Sequence, residues 1–120
     1  MKFTEVMHLS FYTDNMAAMR DFYENKLGLK AKIIMRYEAY KGQTNRGAWA
    51  DRAETNPKDI AYIFIELAPG QYLELFPKAD HQNEHDIPDS HLGYSHFALM
   101  VEDIQEAHNE LVRAGVSIDI

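Results

Sequence analysis

In the stretch "QYLELFPK" (71–78), strand alternation points Tyr72, Glu74 and Phe76 to one face and Leu73 and Leu75 to the other, so a carboxylate sits between two aromatic rings. Two histidines have a related placement. His8 in "EVMHLSFY" alternates against Met7, Leu9 and Phe11, and His96 in "GYSHFALM" alternates against Ser95, Phe97 and Leu99. Imidazole and carboxylate either move protons or bind metals through nitrogen and oxygen. The chain has no cysteine, which excludes disulfides, thiolate metal sites and a cysteine nucleophile, so any metal must take nitrogen and oxygen ligands. A lone histidine on a sheet is more often a satisfied core residue; the matching parity of His8 and His96 argues against that for the pair. Glu66 is a rival carboxylate on the Glu74 face of the neighbouring strand, but its nearness to a turn predicts solvation. His81, His85 and His91 recur at spacings of four and six in a Pro-containing polar segment that fixes no geometry, and read as solvated.

The elements that must position these groups are legible. A first strand is expected over about residues 3–12. "TDNMAAMRDFYENKLG" then predicts an amphipathic helix with Asp14 or Asn15 as N-cap, apolar residues at Met16, Met19, Phe22, Tyr23 and Leu27, and Gly28 as its stop. "LKAKIIMRYEAY" reads as a strand, and residues 41–59 as a polar loop, long for a simple connection. Trp49 in that loop, between Arg46 and Arg52, is either a lid over an anionic substrate or part of a mobile segment. "IAYIFIEL" and "QYLELFP" flank Ala68-Pro69-Gly70 as a hairpin, and pairing Leu67 with Gln71 sets Phe64 across from Glu74. After a linker over 79–92, "GYSHFALMVEDIQEAHNELVRAG" repeats the opening: a strand carrying His96, Asp103 as N-cap, apolar Ile104, Ala107, Leu111 and Val112, then Gly115. Laying His8 over His96 brings Gly28 onto Gly115 once a one-residue gap is placed inside the helix, so the chain contains an internal duplication.

At 120 residues and 46% hydrophobic, one domain with a real core is expected. Twelve basic against nineteen acidic residues give a net charge of −7, which repels a phosphate backbone and an anionic bilayer, so neither nucleic acid nor membrane is an expected partner. No apolar run is long enough to span a bilayer, and "MKFTEVMHLSF" lacks the apolar core and cleavage site of a signal peptide; a cytoplasmic location is expected.

A β-α-β-β-β unit with histidine in its first strand and glutamate in its last, followed by a second unit opening with "GYSHFALMVED", resembles the vicinal oxygen chelate superfamily, and within it the glyoxalase I (lactoylglutathione lyase) family. The resemblance covers essentially the whole chain apart from 41–59. It implies an α+β fold of paired βαβββ modules whose curved mixed sheets enclose a concave metal and substrate cleft: module one at 1–78, the 79–92 linker, and a second module over 93–120, incomplete because the family's "DPDG…E" stretch is not reached. By motif, His8, Glu74 and His96 become metal ligands and Glu74 also the catalytic base. A set of two imidazoles and one carboxylate suits zinc or nickel first, with iron, cobalt or manganese as alternatives.

The implied activity is that of a divalent-metal-dependent lyase or isomerase, which takes a hemithioacetal or similar vicinal-oxygen substrate through a metal-chelated enediolate. Two residues that the family uses on glutathione, an arginine and an asparagine, are Tyr12 and Lys78 here, so glutathione dependence is not implied. The superfamily also offers a non-haem iron extradiol-type dioxygenase and a non-catalytic drug-binding protein of the bleomycin-resistance type. An unfinished second sheet leaves an open strand edge, for which a homodimer is expected.

Overall fold

The computed structural model describes residues 1–83 and 92–119. It divides into two compact units, Met1–Lys78 and Ala79–Ile120.

In the first unit, β1 (His8–Thr13) leads into α1 (Met16–Arg20), which continues as a wider π-type turn over Asp21–Lys26 before β2 (Lys30–Arg36). Short 3-10 turns at Tyr37–Tyr40 and Thr44–Arg46 precede α2 (Gly47–Thr55), and the hairpin of β3 (Ile60–Ala68) and β4 (Gln71–Pro77) completes the unit. The four strands form one sheet in the order β1-β4-β3-β2, with β1 and β4 parallel and the other pairs antiparallel. α1 starts because the Asn15 side chain accepts the Ala18 N–H at 3.0 Å, satisfying one of the donors a helix start leaves unpaired. From cap to glycine this helix is one residue longer than its counterpart at Asp103–Gly115, and the extra residue is absorbed by the wider turn, closed by Leu27 N–H to Phe22 C=O at 3.0 Å. Gly28 then takes φ 71°, a left-handed conformation that a side chain disfavours.

Alternation separates the two faces of the sheet. Ile63, Ile65, Leu73 and Leu75 are fully buried, with Phe11, Met16, Met19, Tyr23, Leu29 and Ala31 packed on them, so α1 and its continuation cover this face. A smaller cluster of Tyr37, Ala53 and Ala61, joined by Tyr40, Trp49 and Tyr62, holds α2 against the sheet.

In the second unit, α3 (Ile104–Arg113) begins at Asp103, whose carboxylate accepts the N–H groups of Gln105 at 2.9 Å and Glu106 at 3.0 Å. It ends at Gly115 with φ 81°, Val116 N–H returning to Leu111 C=O at 2.9 Å. Among the described residues no helix is long and apolar enough to cross a membrane.

Three sequence expectations need correction. The first strand starts at His8, not near residue 3. The 41–59 segment contains α2, which sequence pattern hides because it is nine residues long and starts at Arg46 without a side-chain cap. Residues 94–100, which carry His96, form no strand. A strand exists only through pairing with a neighbour, and α3 is the one helix or strand among the described residues of the second unit. The α+β class therefore holds with a single four-stranded sheet, and among the described residues there is neither a second sheet nor a closed barrel.

Candidate functional site

The parallel register of β1 and β4 sets His8 beside Tyr72, Ser10 beside Glu74 and Tyr12 beside Phe76, while β3 sets Phe64 across from Glu74 on the other side. Residues that pair directly share a face, so Glu74 lies among Ser10, His8 and Phe64 on the side of the sheet away from α1. Its side chain is 13% exposed, against 39% for His8. One oxygen, Oε1, collects both polar contacts: Ser10 Oγ donates to it at 2.8 Å, and His8 Nε2 lies 3.6 Å away. The second is beyond hydrogen-bond range and is an ionic contact when the imidazole is protonated. The His8 ring stands edge-on to Phe64, with centroids 5.5 Å apart at 81°. Among the described residues no lysine or arginine pairs with Glu74. The rival acid Glu66 has such a partner, Lys32 Nζ at 3.8 Å.

Around Glu74 the face is aromatic. Phe64 meets Tyr62 at 5.8 Å and Tyr72 at 6.0 Å; Phe76 meets Tyr12 at 5.3 Å and Tyr62 at 5.8 Å. α2 adds Trp49, whose ring lies 4.8 Å from Tyr40, 5.9 Å from Tyr62 and 6.1 Å from Phe76. Trp49 is thus part of the face. Arg46 stacks over the Trp49 ring at 5.2 Å, and Arg52 over Tyr37 at 5.0 Å.

The hydroxyls of Tyr40 and Tyr62 are 3.3 Å apart. A hydroxyl rotor can turn either way, and the orientation in which Tyr62 gives its proton to Tyr40 holds that proton on Tyr62. This bond, then burial, then the negative charges of an ionised Tyr40 and of Glu74 push the Tyr62 pKa up to about 12, with Arg46 pulling the other way. Ultraviolet titration of wild type is expected to show one tyrosine with its midpoint near pH 12, and Tyr40→Phe is expected to bring that midpoint down. Because the folded value lies above the unfolded one, the stability linked to Tyr62 is complete below about pH 10 and is lost as pH rises toward 12. An unchanged tyrosine titration in Tyr40→Phe would contradict this account.

The expected metal centre must be corrected. His8 and Glu74 meet, but His96 belongs to the second unit, where its Nδ1 lies 3.0 Å from Ser95 Oγ. Among the described residues no three His, Asp or Glu side chains gather into a group able to hold a metal ion. Among the described residues the donors at Glu74 amount to one imidazole and one carboxylate, and the nearest polar partner of that carboxylate is a serine hydroxyl. Zinc, nickel, iron, cobalt and manganese all require more than this set, so the described residues do not fit the group. The correction covers the iron set of the dioxygenase alternative as well. His85 and His91 lie outside the described residues; His81 joins no such group.

Pattern reading missed Ser10, Tyr40 and Tyr62. The signal for Ser10 was available, since it shares the parity of His8 and falls beside Glu74 once the two strands are paired. For Tyr40 and Tyr62 it was not, because their contact depends on the turn after β2.

Residues 5–120 match the family described as Glyoxalase/Bleomycin resistance protein/Dioxygenase superfamily. The chain belongs to this superfamily. No curated protein matches the chain.

Proposed function

We propose that the chain binds a small, flat organic molecule on the aromatic face of the first-unit sheet, with Glu74 taking a positively charged group of that molecule. The observation that carries this reading is one carboxylate, largely shielded and without a lysine or arginine partner among the described residues, set among the rings of Phe64, Tyr72, Phe76 and Tyr62. Ring faces attract cations and the carboxylate neutralises them, so an organic cation satisfies both at once. The reading is close to the sequestering members of the superfamily. Trp49, the single tryptophan, reports on the face directly. Titration of benzylamine at pH 8 is expected to change Trp49 fluorescence saturably, with its neutral analogue benzyl alcohol binding about tenfold more weakly or worse. An equal response to the two compounds, or none, overturns the reading.

The shared contacts of His8 and Ser10 with Glu74 favour a second reading, isomerase or lyase chemistry on a small carbonyl compound. Glu74 would take the proton from a hydroxyl-bearing carbon beside the carbonyl, and the electron pair would move onto the carbonyl oxygen to give an enediolate. Glu74 would return the proton to the former carbonyl carbon while the adjacent hydroxyl passes its proton to the first oxygen and becomes the new carbonyl. Proton exchange, which binding alone does not cause, separates the two.

A further inference from the structure

The ring face ends in donors. At Tyr40 and Tyr62 two hydroxyls share one of their two protons and keep the other for an outside acceptor. Beside them Arg46 lies over the Trp49 ring, exposed, and forms no ion pair among the described residues. α2 starts at the same residue without a side-chain cap, which adds the positive end of its dipole to this corner. Tyr62 and Phe64 stand two residues apart on β3, so this corner lies about one strand repeat, roughly 7 Å, from the Phe64–Glu74 pair. The face therefore carries a negative group and, next along the strands, a set of donors and a cation, with rings between them.

We propose that Arg46 and the Tyr40–Tyr62 hydroxyl pair form an anion-binding end of the ligand site, so that its ligand is a flat molecule carrying a carboxylate or comparable anion opposite the cationic group held by Glu74. This rests on the binding reading above and adds the class of ligand. The chain as a whole, at −7, repels an anionic group, so any preference for a carboxylate must arise locally. Trp49 gives Arg46 a fixed platform, since stacking on the ring leaves the edge N–H groups of the guanidinium available to a carboxylate.

The test compares two probes of the same body. 4-(Aminomethyl)benzoate differs from benzylamine only by a carboxylate across the ring from the aminomethyl group, a span close to one strand repeat. Dissociation constants for both are read from Trp49 fluorescence in wild type, Arg46→Gln and Tyr40→Phe. Wild type is expected to bind 4-(aminomethyl)benzoate about tenfold more tightly than benzylamine. In Arg46→Gln that ratio is expected to fall to about one, and in Tyr40→Phe to an intermediate value. Saturable benzylamine binding with no preference for the carboxylate compound overturns the anion-binding end and leaves the cation site standing. A preference that persists in Arg46→Gln overturns the role of Arg46. If neither probe binds, both readings fall together.

Discussion

Leu75→Ala is expected to lower the unfolding free energy by about 2–5 kcal/mol, read from the urea midpoint of the full chain. Leu75 is fully buried and sits at the middle of the sheet, across from Ile63 on β3 and beside Phe11 on β1. Both neighbours are fixed by strand pairing and α1 closes the layer above, so the site cannot collapse onto the missing methyl groups, and the loss combines transfer and cavity terms. Small domains are stable by about 5–15 kcal/mol, so the variant should lie close to the limit of folding. Ile34, on the edge strand β2 and 40% exposed, supplies the contrast: Ile34→Ala should move the midpoint much less. Ile34 pairs with Ile63 and so shares the core face, and equal effects at the two positions would contradict the concentration of the core at the middle of the sheet rather than at its β2 edge.

Much of this architecture was legible because the strand signal is a local one. A period of two in "IFIELAPGQYLELF" fixes which side chains share a face, and the Pro-Gly turn fixes the register, so the Phe64–Glu74 pair follows from the sequence. At the turn itself the pairing slips to Ala68 with Gln71, a local irregularity that pattern does not encode. Asn15, Gly28, Asp103 and Gly115 mark helix ends through backbone chemistry that acts within four residues, and are equally readable. Tertiary placement was harder. α2 carries neither a cap nor a clear apolar stripe, and it is held by Trp49 and Ala53 meeting Tyr37, Tyr40 and Tyr62 from other parts of the chain. The same limit applies to His96. The duplication gives it the parity of His8, but parity fixes a face only once a strand has a partner, and residues 94–100 form no strand. A ligand set inferred from equivalent sequence positions therefore needed a pairing that periodicity does not guarantee.

Glu74→Gln is expected to weaken benzylamine binding by about 10- to 100-fold while leaving the urea midpoint nearly unchanged. The amide keeps the shape of the side chain and its oxygen can still accept from Ser10 Oγ, so the packing between Phe64 and Ser10 survives. What disappears is the charge. A hydrogen bond to a charged group contributes about 1.5–3 kcal/mol, and a side chain only 13% exposed is weakly screened, which places the loss in that range. Because Glu74 helps raise the Tyr62 pKa, the same variant should lower the Tyr62 titration midpoint slightly, an independent sign that the charge and not the fold was altered. Adjacent positions in β4 thus separate the two roles: Leu75 should affect stability and Glu74 should affect binding. Wild type and Glu74→Gln, incubated in deuterium oxide with the hemithioacetal of methylglyoxal and 2-mercaptoethanol, extend the test to proton transfer. Carbon-bound hydrogen exchanging faster with wild type than with Glu74→Gln establishes Glu74 as a base; exchange at the buffer rate in both leaves it a binding residue. Unchanged benzylamine affinity in Glu74→Gln would remove the carboxylate from the binding role.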